Sequence, residues 1–231
     1  RMSLSLDGAT RETHDAFRGV PGTYDRTIEA VRRAHAAGLS LQINTTLTRG
    51  NVEEYEAFKR LMFVLKPAMW SVFLLVPTGR AGLESLPDAA ETERIFEDMA
   101  GLVGNAPFAV KTTEGHHFRR VLIQQRGGRA SRSRPGLSSP PGIRDGRGVM
   151  FISHTGEVSP SGFLPIVCGN VRSTHPAEIY RHHPLFVSLR DNDALGGKCG
   201  ACAFRRVCGG SRARAWASVP SSATPSQLSS T

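Results

Sequence analysis

Residues 39–46 run LSLQINTT, between Gly38 and Leu47. Gln42 and Asn44 alternate within an otherwise apolar run, the period-two pattern of a strand. Helical patterns lie on both sides. Upstream, Tyr24, Ile28, Val31 and Ala34 fall at helical spacing, with Thr23 in N-cap position and Gly38 as the stop. Downstream, Asn51 stands where it can cap the next helix, with Glu54 three residues later in capping-box position. The alternation continues in both directions. Residues 2–6 (MSLSL) read as a strand ending in Asp7-Gly8. Residues 70–76 read as a third strand, followed by Pro77-Thr78-Gly79-Arg80, residues 88–103 as a helix, and 108–112 as a short strand. Strand then helix, repeated at roughly 30-residue spacing, specifies parallel βαβ units in an open sheet or barrel. Functional groups then sit at the strands' C-terminal ends, where Asp7, residues 44–46 and residues 78–80 fall.

Residues 124–147 (QQRGGRASRSRPGLSSPPGIRDGR) form a loop rich in Gly, Ser, Pro and Arg, which marks a boundary. Beyond it, residues 148–153 and 157–159 flank His154-Thr155-Gly156 as a hairpin, and a short helix is expected around 176–190. The expected organisation is 1–123, 124–147, 148–217, and a polar, low-complexity tail over 218–231 that should be disordered.

Hydrophobic residues make up 39% of the 231 residues, enough for a core over most of the length. No run of eighteen apolar residues occurs and the N-terminal residues lack a signal-peptide pattern. Four cysteines are too few for a disulfide scaffold, which points to a reducing cytoplasm. The net charge of +9 is concentrated in 119–147 and 198–214, without interleaved aromatics. That disfavours nucleic acid and suits a negatively charged cluster or an acidic substrate.

Three of the four cysteines, Cys199, Cys202 and Cys208, lie within ten residues at Cys-x2-Cys-x5-Cys spacing. Soft thiolates so grouped select an iron–sulfur cluster or zinc. Either needs a fourth ligand: Cys168 is the remaining thiol, and His182 and His183 are also available. Ser5 and Asp7 could hydrogen-bond a small polar ligand, although Asp-Gly is also a turn dipeptide. Gln42 and Asn44 would face inward if their apolar neighbours face the helices. Arg18 and Arg80 could hold a carboxylate or phosphate, and His116, His117 and His154 are catalytic or ligating candidates that solvated or core roles explain equally well.

With these residues in place, the chain resembles radical S-adenosylmethionine enzymes carrying a C-terminal SPASM or Twitch auxiliary-cluster domain, most closely the heme-biosynthesis branch. The resemblance is carried by Ser5-Leu-Asp-Gly8 with residues 14–19 (HDAFRG), residues 42–46 (QINTT), 76–80 (VPTGR), 148–158 (GVMFISHTGEV), 169–171 (GNV) and 199–214, which ends in CGGSRAR. It implies the C-terminal half of a partial (β/α)6 TIM-like barrel plus a small iron–sulfur domain with a β-hairpin. It implies S-adenosylmethionine beside Ser5, Asp7, Arg18 and Asn44, and an auxiliary [4Fe-4S] cluster on Cys199, Cys202 and Cys208. Lys198, Arg205, Arg206, Arg212 and Arg214 would raise that cluster's potential. An electron donor such as ferredoxin or flavodoxin is implied, with no nucleic acid and no membrane as partners. The implied chemistry is reductive cleavage of S-adenosylmethionine and hydrogen abstraction from a porphyrin-type substrate. A peptide-modifying maturase and a zinc-stabilised binding module are the alternatives.

The chain departs from the family pattern in three places. No cysteine precedes Cys168, so the Cys-x3-Cys-x2-Cys motif of the radical-generating cluster is absent. The expectation is a fragment that begins near the fourth barrel strand and is inactive alone. A Ser/Pro-rich stretch follows Ala217 where the family continues to a Pro-x-Cys. The hairpin position where relatives often place a cysteine is Ser161; Cys168 comes seven residues later and is named as fourth-ligand candidate without a match to the family position.

Overall fold

The computed structural model describes residues 2–79, 81–127 and 144–218. Arg80, most of the Gly/Ser/Pro/Arg loop and the tail beyond residue 218 lie outside the described residues. The chain forms two compact units, Arg1–Leu75 with Ala81–Leu137, and Val76–Arg80 with Ser138–Thr231.

The first unit is α/β. Strands β1 (Met2–Ser5), β2 (Leu41–Leu47), β3 (Met69–Leu74) and β4 (Ala109–Thr113) form one parallel sheet in that order. Between them run helices α1 (Arg11–Arg18), α2 (Thr23–Ala36), α3 (Tyr55–Leu65) and α4 (Ala89–Leu102), and α5 (Phe118–Gln125) follows β4. Leu41, Ile43 and Leu47 of β2 and Trp70, Val72 and Leu74 of β3 share one face and pack with Val31, Phe58, Met62, Ile95, Phe96 and Met99. At about 1.5–3 kcal/mol for each large side chain removed from water, this layer is the main favourable term of the unit. Trp70 is fully buried and donates its Nε1–H to Thr45 Oγ1 at 3.0 Å, which satisfies the polar atom it brings into the core. Parallel strands joined by helices are as the alternating pattern requires.

Local details differ from the sequence expectations. Helix α1 was not anticipated, because its surface is polar nearly all round and it buries only His14. Gly22, not Thr23, is the N-cap of α2; Thr23 donates its hydroxyl to Asp15 instead. The Asn51/Glu54 capping box does not form. Asn51 is buried, accepts from the Thr48 N–H at 2.8 Å, and donates to the carbonyls of Asp7 and Thr46 at 2.9 and 2.8 Å. Glu54 accepts from the Ala9 N–H. Buried carbonyls at two strand ends outcompete a helix end that water can reach. A capping box does occur at α4, between Asp88 and Glu91.

The second unit has a three-stranded antiparallel sheet, β5 (Phe151–Ile152), β6 (Glu157–Ser159) and β7 (Gly169–Asn170). The expected hairpin is β5–β6; β7, two residues long, carries no periodicity to detect. The single helix expected near 176–190 is two, α6 (Pro176–His182) and α7 (Pro184–Arg190), split at a proline that cannot continue a helix. Short helices α8 (Gly197–Ala201), α9 (Arg205–Cys208) and α10 (Arg212–Ala217) follow. Val158, Leu164, Ile179, Phe186, Leu189 and Ala213 form the core. No helix among the described residues is long and apolar enough to cross a membrane.

Candidate functional site

In the first unit, the sheet face opposite the helix-packed layer is polar. Ser5, Asn44, Ser71 and Lys111 are successive register partners across β1, β2, β3 and β4 and form one row. One position earlier on the same face, Gln42 donates its Nε2–H to Asn44 Oδ1 at 2.8 Å and fixes the amide. Ser71 is fully buried, with Oγ 3.4 Å from Thr113 Oγ1. The sequence placed Ser5 and Asn44; it gave no signal for Ser71 or Lys111, which lie in strands where single polar residues look incidental.

Asp7 follows β1 and is 1% exposed. Its Oδ1 accepts the Thr46 N–H at 2.7 Å and its Oδ2 lies 2.5 Å from Nη2 of Arg18, the last residue of α1. Its own N–H donates to His14 Nδ1 at 3.1 Å. Burial raises the Asp7 carboxyl above its ordinary range, against the pull of the Thr46 N–H and Arg18. Burial also lowers the His14 imidazole. Asp7 and Arg18 are therefore joined to each other, and Asp7 ties the ends of β1 and β2 to α1. Of the histidine candidates, His116 is buried with Nε2 4.0 Å from Glu114 Oε2, His117 packs on Phe96, and His154 is exposed on its turn.

In the second unit the thiols divide. Cys199 lies in α8, Cys202 caps its C-terminus and Cys208 ends α9; all three are half-buried and unoxidised. Cys202 Sγ accepts the Phe204 N–H at 3.4 Å, and Cys208 accepts from Gly210. Gly209 and Gly210 both have φ of +67°, and a Cβ on Gly210 would sit 3.6 Å from Cys199 Sγ. These left-handed glycines bring backbone to the sulfurs. Burial pushes the Cys208 thiol up; the Gly210 N–H opposes this, Cys199 and Cys202 add to it, and Arg144 opposes it. Cys168 has other surroundings: it lies in the apolar core, donates to the Ile166 carbonyl at 3.4 Å, and burial pushes its thiol up to about 11. His183 caps α7 through Nδ1, and His182 is exposed near Glu178.

Two buried arginines accompany the thiols, each 6% exposed. Arg212 is in electrostatic contact with Cys199 and Asp145. Arg144 reaches the turn after Cys208. Asp145, also buried, accepts the Ala213 N–H at 3.0 Å and a hydrogen bond from Ser161. Arg205 and Arg206 instead pair with Asp193 at the surface.

No family model matches the chain. Curated relatives do. It is 38% identical over 228 residues to the AdoMet-dependent heme synthase of Nitratidesulfovibrio vulgaris, covering 94% of this chain and 60% of that protein. It is 37% identical over 223 residues to the AdoMet-dependent heme synthase of Methanosarcina barkeri, covering 95% and 64%. The chain thus spans under two thirds of the length of these relatives. In fold it is similar to Streptococcus suis SuiB in a crystal structure with S-adenosylmethionine, with a TM-score of 0.63 at 17% identity, covering 93% of this chain and 49% of that one. The chain is similar to radical S-adenosylmethionine enzymes of the heme-synthase-like branch.

Proposed function

We propose that the second unit is an auxiliary iron–sulfur domain holding a [4Fe-4S] cluster on Cys199, Cys202 and Cys208, with Cys168 as the fourth ligand. We further propose that the first unit is part of a (β/α)6 barrel whose polar face takes S-adenosylmethionine. The observation that carries this is the grouping of three thiols with two buried arginines in a chain so similar to heme synthases. When bound, the cluster supplies one-electron transfer to or from a substrate. The chain's own residues support that role. Backbone N–H groups donate to Cys202 and Cys208, and the buried Arg144 and Arg212 offset thiolate charge at the half-buried sulfurs.

A zinc module is the competing reading. Tetrahedral zinc at about 2.3 Å from each sulfur draws the sulfurs to within about 3.8 Å of one another. Among the described residues the three Sγ atoms do not form a group within 4.8 Å. Both readings use the same three thiolates, and metal and sulfide content separates them.

Ser5 and Asn44 offer a hydroxyl and an amide to S-adenosylmethionine, with Asp7 and Arg18 shaping the strand ends. Lys111 puts a cation in the same row, which suits a substrate carrying carboxylates, as a porphyrin does. The 231 residues hold no Cys-x3-Cys-x2-Cys, so they are expected to bind S-adenosylmethionine without cleaving it. Ferredoxin or flavodoxin is the proposed electron donor.

Iron and acid-labile sulfide analysis of anaerobically purified chain tests the proposal. About four of each per chain, with a brown chromophore, are expected. Cys199→Ser and Cys208→Ser should lose both. Colourless protein with stoichiometric zinc overturns the cluster. Full iron content in Cys168→Ala removes Cys168 from the ligand set, since its thiol would have to give up the Ile166 carbonyl and a proton to ligate.

A further inference from the structure

Arg144 lies far from the cysteines in sequence, in a stretch that composition marks only as a loop. In the structure it opens a tight turn, Arg144-Asp145-Gly146-Arg147, closed by backbone bonds of 3.0 and 2.8 Å between Arg144 and Arg147. Gly146 supplies the left-handed residue at φ +67°. The first two side chains of this turn reach two parts of the thiol segment. Asp145 holds the start of α10 through the Ala213 N–H. Arg144 enters the space beside Gly209, where an ideal Cβ would lie 1.0 Å from its Nη1. Its Nη2 donates to Asn192 Oδ1 at 3.1 Å, and Asn192 Nδ2 donates at 3.4 Å to the carbonyl of Arg206 in α9. The guanidinium is therefore indexed to the helix that ends in Cys208.

We propose that Arg144 is a positioning residue for the thiolate centre: its guanidinium, seated in the cradle left by the missing side chain of Gly209, holds positive charge against Cys208 and raises the reduction potential of the bound cluster. The proposal rests on the cluster reading above. Reduction adds one negative charge, so a fixed buried cation stabilises the reduced form. The chemistry is electrostatic, with no bond made or broken at Arg144. Gly209 has two reasons to be glycine, its left-handed φ and the arginine that occupies the Cβ position.

The test is an EPR-monitored redox titration of the full chain, with iron and sulfide measured on the same samples. Wild-type protein without iron defeats the parent reading and is separable from the outcomes that follow. Arg144→Gln is expected to keep wild-type iron content while its reduced-to-oxidised ratio at fixed potential falls at least about tenfold, about 59 mV for one electron. Gly209→Ala, which keeps the charge but fills its seat, should shift the ratio in the same direction. An Arg144→Gln protein with full iron content and an unmoved midpoint overturns the proposal. If Arg144→Gln loses iron, Arg144→Lys decides. Retained cluster at the wild-type midpoint supports the charge role; loss of iron there too assigns Arg144 to scaffolding and overturns it.

Discussion

Gly8→Ala should destabilise the first unit at the end of β1, although Gly8 follows Asp7 in what looks like a common turn dipeptide. Gly8 is not among the residues with positive φ, so no left-handed turn requires it. The constraint is steric. An ideal Cβ would lie 2.1 Å from the backbone N of His14 and 2.6 Å from His14 Cα and Thr13 C. Ordinary contact begins near about 3.5 Å, so α1 would have to retreat by roughly 1.4 Å. That motion pulls the buried His14 ring away from the Asp7 N–H, now at 3.1 Å, and loosens Arg18 from Asp7. A buried donor left without its partner costs about 1–3 kcal/mol and overpacking about 1–3 kcal/mol, for a total of about 2–6 kcal/mol. Urea denaturation followed by circular dichroism measures it, with the m-value checking that both proteins unfold the same way. Gly8→Asn separates the two explanations: a turn tolerates asparagine, whereas the steric account makes it as damaging as alanine. Because the clash is with backbone, removing the His14 side chain should rescue neither variant. A Gly8→Ala protein within about 0.5 kcal/mol of wild type at unchanged m would refute the reasoning.

Three further perturbations have defined outcomes. Desolvation raises the Asp15 carboxyl, but hydrogen bonds from Tyr24 N–H, the Thr23 hydroxyl and Gly22 N–H outweigh it and hold the group at about 2, below its ordinary 3.8. A lowered folded value means the stabilisation is complete above the unfolded value and is lost as pH falls through about 2. The gap in urea midpoint between wild type and Asp15→Asn should therefore be constant down to about pH 4 and close between there and pH 2. Lys66 ends α3 at φ +48° with no glycine to relieve it, so Lys66→Gly should stabilise by about 0.5–1 kcal/mol, read as a rise in midpoint. Asp88→Ala removes the cap of α4 and its reciprocal bond with Glu91, and should cost about 1 kcal/mol by the same assay.

The parallel α/β sheet was legible because β2 declares itself: alternating side chains between two helical patterns leave few other folds. Ser5 and Asn44 followed, since strand register makes them neighbours once both strands are placed. Helix α1 was illegible because one buried histidine makes no apolar stripe. Asn51 misled for a related reason. The residue types that cap helices also bind buried carbonyls, and the choice depends on tertiary burial. The cysteine cluster was plain from spacing, but its environment was not. Arg144 and Asp145 come from a turn more than fifty residues upstream of Cys199, and only the fold shows that the intervening chain returns them to the thiol segment. Counting cations near the cysteines in sequence selected Lys198, Arg205, Arg206, Arg212 and Arg214; the structure buries Arg212 beside Cys199 but engages Arg205 and Arg206 with Asp193 at the surface.

That difference has a measurable consequence for any cluster the thiols hold. The Arg205 and Arg206 side chains are 37% and 71% exposed and share one carboxylate, whereas Arg144 is 6% exposed. A charge acting through water works at an effective dielectric near 80, and one acting through partly buried protein near 20, so equal separations differ about fourfold in energy. The exposed pair is also screened within about 8–10 Å at physiological salt, and its field is partly cancelled by Asp193. The double change Arg205→Gln with Arg206→Gln removes two charges and should therefore move the cluster midpoint no more than about half as far as Arg144→Gln. That small shift should fade as salt is raised from 0.05 to about 0.5 M, while the Arg144 shift persists. If the exposed pair moves the midpoint as far as Arg144, proximity in sequence outweighs burial, and the site's electrostatics must be assigned to the surface helix rather than to the turn at residues 144–147.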